Sequence, residues 1–203
     1  MTVKNIKMKD YINSLSPNAE RRFISEPVSF RAEDDNIIEG YAAVFNKDSQ
    51  DFGGWHERIA PGAFSEVLND NAVALFNHDM NYVLGRNGVN VTLSEDQNGL
   101  KYTVKLPDTS FARDLKNLIK DGIIHQSSFA FTVLQQEWKH NDNAPSVRTI
   151  TKIKRLYDVS PVTTPAYPDA SVGARSFAQT KPKESQLLTA DMIDFKIKLT
   201  KHV

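Results

Sequence analysis

The chain contains no cysteine, so a nucleophile would have to come from serine, threonine, lysine or a carboxylate. Five histidines are available as bases: His56, His78, His125, His140 and His202. His202 lies in the C-terminal tail and His140 in a polar loop, so both are expected to be solvated. His78 differs, because it directly follows the apolar run Ala72 to Asn77 (AVALFN), where a rigid strand presents its end to solvent or a cleft. Taken alone, a histidine capping a strand end is the commoner reading. A serine nucleophile needs such a base within hydrogen-bond reach and a third group to fix the imidazole. Ser127 and Ser128 open a strand and are candidates, although an isolated serine pair is usually a turn or strand-edge feature.

Other chemistries are weaker. His78, Asp79, His125 and His140 are possible metal ligands, but no pair has the i, i+4 spacing of a helical zinc motif. Adjacent strand residues point to opposite faces, so His78 and Asp79 would not grip one ion. No metal site is expected. Gly85-Arg86-Asn87-Gly88 reads as a tight hairpin turn, not as a glycine-rich phosphate loop feeding a helix.

These residues need elements to hold them. Ile37 to Phe45 reads as a strand, with Gly40 as the expected place of a bulge. Asn46 to Trp55 reads as a polar loop, and Pro61 predicts the start of a short helix over Gly62–Leu68. Ala72 to Asn77 suits a strand buried on both faces. Val83 to Gly85, Val89 to Leu93 and Leu100 to Leu106 continue the β pattern, with Asp96–Gly99 as a turn. Asp108 and Thr109 can cap a helix over Ser110–Lys120, closed by Gly122, with Phe111, Leu115, Leu118 and Ile119 on one stripe. Ser127 to Trp138 alternates, with Ser128, Ala130 and Thr132 on one face and Phe129 and Phe131 on the other. After a polar loop comes a long strand, Val147 to Tyr157, then the proline-rich stretch Val159 to Pro168.

With 203 residues, 40% hydrophobic and 25% charged, the chain can bury one domain's core. No apolar run is long enough to span a membrane, and the polar N-terminus does not read as a signal peptide. The absence of cysteine fits a reducing compartment. The 25 basic and 25 acidic residues cancel, but unevenly. Residues 1–24 carry net +3 (Lys4, Lys7, Lys9, Arg21 and Arg22 against Asp10 and Glu20). Residues 176–203 carry +2, which leaves an acidic body of −5. An acidic body and sparse basic ends predict no specific nucleic-acid partner. The division expected is a flexible leader (1–24), a domain of antiparallel strands with two short helices (25–175), and a linker with an amphipathic tail (176–203, apolar over Leu187–Leu199).

Six segments in order, GYAAVFN (40–46), ERIAPGAF (57–64), LFNHD (75–79), LGR (84–86), SSFAF (127–131) and DVSPVTTPAYP (158–168), resemble the tailed-phage prohead maturation serine proteases. Each segment is weak alone, and together they cover most of the chain. The resemblance implies a mainly β (α+β) fold, a closed antiparallel β-barrel flanked by a few helices and related to the herpesvirus assemblin protease. It places the catalytic histidine on His78, the nucleophile on Ser128 and the acidic member on Asp158. Family members often read Met-Ser where this chain reads Ser127-Ser128. Alternation puts Ser127 with the bulky Phe129 and Phe131, and Ser128 with small residues, which favours Ser128. His125 is a rival third member, because assemblin-type sites use a second histidine there. Arg86 and Arg148 are guesses for an arginine organising the oxyanion site.

The implied function is a serine endopeptidase that cleaves scaffold and major capsid protein precursor, and itself, inside the assembling procapsid in the host cytoplasm. No cofactor is implied, and a homo-oligomer is left open. The alternative is a catalytically idle scaffold or assembly-chaperone module on the same fold. A general esterase would be suggested by a G-x-S-x-G elbow, which the chain lacks.

Overall fold

A computed structural model of the chain describes residues 16, 18–24, 29–31, 34–141 and 143–163. The described residues form β1 (Glu20–Ile24), β2 (Ser29–Arg31), β3 (Asp34–Val44), β4 (Trp55–Ile59), β5 (Val73–Phe76) and β6 (Asp79–Arg86). They continue with β7 (Val91–Glu95), β8 (Gly99–Lys105), helix α1 (Ser110–Lys120), β9 (Gln126–Lys139) and β10 (Ser146–Val162).

The long strand β10 organises one sheet. Along one edge it pairs antiparallel with β9, from Val147 opposite Lys139 to Val162 opposite Gln126. Its other edge is shared by two parallel partners, β4 against Ser146–Ile150 and β5 against Asp158–Val159. β1 extends this sheet beyond β9, and β6 extends it beyond β5. A second sheet has the order β2-β3-β8-β7, all antiparallel. β3 packs against β1 and β9, so the sheets enclose the core between them. Phe45, Phe64, Phe129 and Phe131 form a row of rings there, with centroids 6.3, 5.7 and 4.7 Å apart, the middle pair edge-to-face and the outer pairs stacked. The mainly β reading therefore holds. The closed barrel does not form: apart from a single bridge between Asn87 and Val91, no ladder joins the two sheets among the described residues.

Helix α1 follows its sequence signals closely. Thr109 caps it by accepting from the Ala112 N–H, and Ala112, Leu115 and Ile119 are buried. Gly122, at φ +69°, ends it. The Ile123 and Gly122 N–H groups return to the Leu118 and Ile119 carbonyls, a Schellman closure.

The second expected helix, over Gly62–Leu68, is instead a run of i to i+3 turns such as Val67 N–H to Phe64 O at 2.9 Å. The run and Asp70 just after it fill the gap that β4 and β5 leave on β10. Ile153 N–H donates to Ala63 O at 2.9 Å, and Leu156 N–H donates to Asp70 Oδ2 at 2.8 Å. Gly40 is not bulged. It stays in register opposite Tyr102, and the irregularity falls between Tyr41 and Ala43. Glycine at 40 instead makes room for a ring: a Cβ there would press on Tyr102, 3.2 Å from its hydroxyl.

The leader boundary also moves. Glu20–Ile24 was expected to be loose, yet it is β1, paired residue by residue with Phe131 to Ser127 of β9. The remainder of the leader before Ser16, the stretch from residue 164 to Pro168, the linker and the Leu187–Leu199 segment lie outside the described residues.

Candidate active site

The apolar run AVALFN cannot continue as a strand past Phe76, because the next two residues take a turn. Phe76 pairs with Asp79, while Asn77 and His78 sit between them at φ +55° and +57°. Two consecutive left-handed residues make the two-residue hairpin whose twist matches its strands. Asparagine and histidine are among the few non-glycine residues that tolerate this region. The turn is pinned to the end of β10. Asn77 N–H donates to Pro161 O at 3.0 Å, and its Oδ1 accepts from the Thr163 N–H at 2.9 Å. His78 is thus a fixed hairpin tip, not the last residue of a strand, and its ring is swung onto the sheet.

Below that ring, strand periodicity supplies the other groups. Asp158 and Ser160 are two apart on β10 and share a face. Ser160 is directly opposite Ser128 on β9, and Asp158 is opposite Ala130. The imidazole bridges the two strands: Nδ1 lies 2.5 Å from Asp158 Oδ1, and Nε2 lies 2.6 Å from Ser128 Oγ. His78, Ser128 and Asp158 are 3%, 2% and 0% exposed. A carboxylate only accepts, so Nδ1 carries the proton and the bare Nε2 of a neutral ring accepts from the Ser128 hydroxyl. This is the hydrogen-bonded line that general-base activation of a serine requires. The three residues expected from sequence to act together are brought together.

Two neighbours were not foreseen. The Ser160 hydroxyl donates to Asp158 Oδ1 at 3.0 Å and lies 3.3 Å from His78 Nδ1. The second is the main-chain carbonyl of Arg22 on β1, 3.0 Å from Ser128 Oγ. The serine has one proton and two acceptors, so it donates to His78 when the ring is neutral. When the ring is protonated, Nε2–H occupies Oγ and the hydroxyl turns to Arg22. The strand signal for Ser160 was present in its i, i+2 offset from Asp158. No sequence signal pointed to Arg22.

The other candidates fall elsewhere. Ser127 faces the core, where its hydroxyl and that of Tyr102 are 2.7 Å apart. Burial pushes the Tyr102 phenol well above its ordinary range, and the Ser127 bond offsets this only in part. His125 is exposed, its Nδ1–H donating to Gly122 O at 3.2 Å. Asp79 turns away and accepts from Asn81. His56 donates to Ser49 O, and His140 stacks on Trp138. Among the described residues no three potential metal ligands gather.

Neither guessed arginine reaches the serine. Arg86 binds Asn71 at the surface. Arg148 is 1% exposed and locked into a buried charge quartet with Glu20, Glu57 and Arg22. Arg148 makes bonds of 2.7 and 2.8 Å to Glu20 and one of 2.7 Å to Glu57, and its Nε bonds Gln136. Arg22 grips Glu57 through two bonds, at 2.5 and 2.8 Å, and Glu20 at 2.6 Å. Burial alone would raise the Glu20 carboxyl, but Arg148 and Arg22 outweigh it and hold it below the usual carboxylate range. Burial likewise opposes the charge on Arg22, and the two glutamates overcome it and raise its value. The quartet fixes β1, and so the carbonyl that meets Ser128.

No curated protein and no solved structure matches the chain. A family model, caudovirus prohead serine protease, matches residues 26–183, a span that contains His78, Ser128 and Asp158. That match spans most of the chain: this chain belongs to the caudovirus prohead serine protease family.

Proposed function

We propose that the protein is a serine endopeptidase of procapsid maturation, with Ser128 as nucleophile, His78 as general base and acid, and Asp158 as the group that orients and charges the imidazole. The observation that carries this reading is the Asp158–His78–Ser128 hydrogen-bonded line, at 2.5 and 2.6 Å. Ser128 Oγ attacks a peptide carbonyl carbon while its proton passes to His78 Nε2. His78 returns that proton to the amide nitrogen as the C–N bond breaks, which leaves an acyl ester on Ser128. Water then attacks the ester with His78 taking its proton, and His78 returns that proton to Ser128 Oγ as the acyl C–O bond breaks and the acid product leaves. Asp158 keeps Nδ1 protonated and stabilises the imidazolium formed twice per cycle.

The substrates that family membership suggests are the scaffold and the major capsid protein precursor, met inside the assembling procapsid, with the protease's own ends as further substrates. The described residues hold no helix long and apolar enough to cross a membrane. Co-expression with the cognate capsid precursor, read by intact mass, tests the reading. Wild type should shorten the precursor and Ser128→Ala should leave it whole. A precursor assembled but uncut by wild type would favour an idle assembly module instead.

A further inference from the structure

The buried hydroxyl of Ser160 has no part in the chemistry above, yet it touches both members of the ion-forming pair. It is fully buried and stands opposite Ser128 across the β9–β10 ladder. Its Oγ is 3.0 Å from Asp158 Oδ1 and 3.3 Å from His78 Nδ1. The oxygen it reaches is the one that faces the imidazole. Asp158 Oδ2, by contrast, is buried with no hydrogen-bond partner among the described residues. All the hydrogen bonding that the described residues give this carboxylate therefore arrives at Oδ1, from His78 and from Ser160.

We propose that Ser160 is a positioning residue of the reaction, its hydroxyl clamping Asp158 Oδ1 against His78 Nδ1 and sharing the carboxylate's charge. This rests on the triad reading above. Two consequences follow from the geometry. The clamp fixes the carboxylate rotamer, since a free Asp158 could turn either oxygen to the ring. It also takes up part of the negative charge that would otherwise be spent on the imidazolium. Without Ser160, Asp158 attracts a protonated His78 more strongly, and the ring stays protonated to higher pH. Among the described residues, the groups hydrogen-bonded to the ring are Asp158 and Ser160 from β10 and Ser128 from β9, and Asp158 is the one charged group of the three.

The test is the rate at which a fluorophosphonate probe labels the full-length chain, followed from pH 5 to 9. In Ser160→Ala the labelling should slow roughly tenfold, because a carboxylate no longer held in one rotamer orients the imidazole less well for attack. The pH of half-maximal rate should rise by about 0.5 or more. Ser160→Cys keeps the volume but gives up most of the donor strength, and it reads the same midpoint should the alanine variant not fold. A midpoint equal to that of wild type overturns the proposal even if the rate drops, because a packing role slows labelling without moving its pH dependence. Failure of the underlying triad reading looks different: wild type itself would carry no label on Ser128.

Discussion

Ser127 and Ser128 are neighbours of the same type, and their environments give them opposite roles. Ser128 faces the imidazole, while Ser127 faces the core and satisfies the buried Tyr102 hydroxyl. Ser128→Ala is therefore predicted to remove cleavage, by on the order of 10³-fold or more, with little change in melting temperature. Ser127→Ala should show the reverse pattern. It keeps the nucleophile but leaves Tyr102 without its buried partner, at a cost of about 1–3 kcal/mol, read as a lower melting temperature with most activity retained. His78→Ala should be as inactive as Ser128→Ala, whereas His125→Ala, altering an exposed ring, should cleave like wild type. The period-2 pattern through SSFAF was enough to tell the serines apart in the sequence, because phenylalanines mark the core face. The hairpin that aims His78 was not legible. Its positive φ values depend on the anchorage of Asn77 to Pro161 and Thr163, far away in the chain.

At the scale of elements, the least legible strand is the one nearest the nucleophile. Glu20, Arg21 and Arg22 look like solvated leader charges. Glu57 from β4 and Arg148 from β10 pair with Glu20 and Arg22, and so hold buried charges in the ERRFI strand. β4 was hidden by the same quartet, since WHERI places Glu57 on its buried face between Trp55 and Ile59. A buried quartet is costly to break from one side. Arg148→Met should destabilise the fold by about 3–5 kcal/mol, measured by urea unfolding. It should also loosen β1, seen as faster amide exchange over residues 20–24. The quartet sets a pH dependence as well. Glu20 titrates lower in the folded chain than in the unfolded one, so its stabilisation is complete above the unfolded glutamate range and fades as pH falls through the folded value. Melting temperature should thus decline on acidification below about pH 4, and less steeply in Glu20→Gln. Helix α1 was fully legible because its cap, stripe and closing glycine are all local. The turn run at 62–68 was not, because it fills a gap on β10, far away in the chain.

For the whole molecule, mainly β architecture followed from the texture of the chain, whereas closure into a barrel depends on which edges meet and no local pattern encodes it. The same architecture limits where self-processing can act. Proteolysis needs an extended segment free of ladder bonds, and the described body begins in β1 and ends in β10, each paired with β9. If the protease trims itself, the N-terminal cut should fall before Glu20 and the C-terminal cut after Thr163. Comparing intact masses of wild type and Ser128→Ala checks this, and a cut inside 20–24 would count against the structural place given to β1. The central claim, that a histidine-activated Ser128 performs acyl transfer, is tested most directly by treating the full chain with a fluorophosphonate and mapping the adduct by mass. One adduct on Ser128, absent from Ser128→Ala and His78→Ala and retained in Ser127→Ala, is the predicted result. An adduct on Ser127, or none on folded wild type, would contradict it.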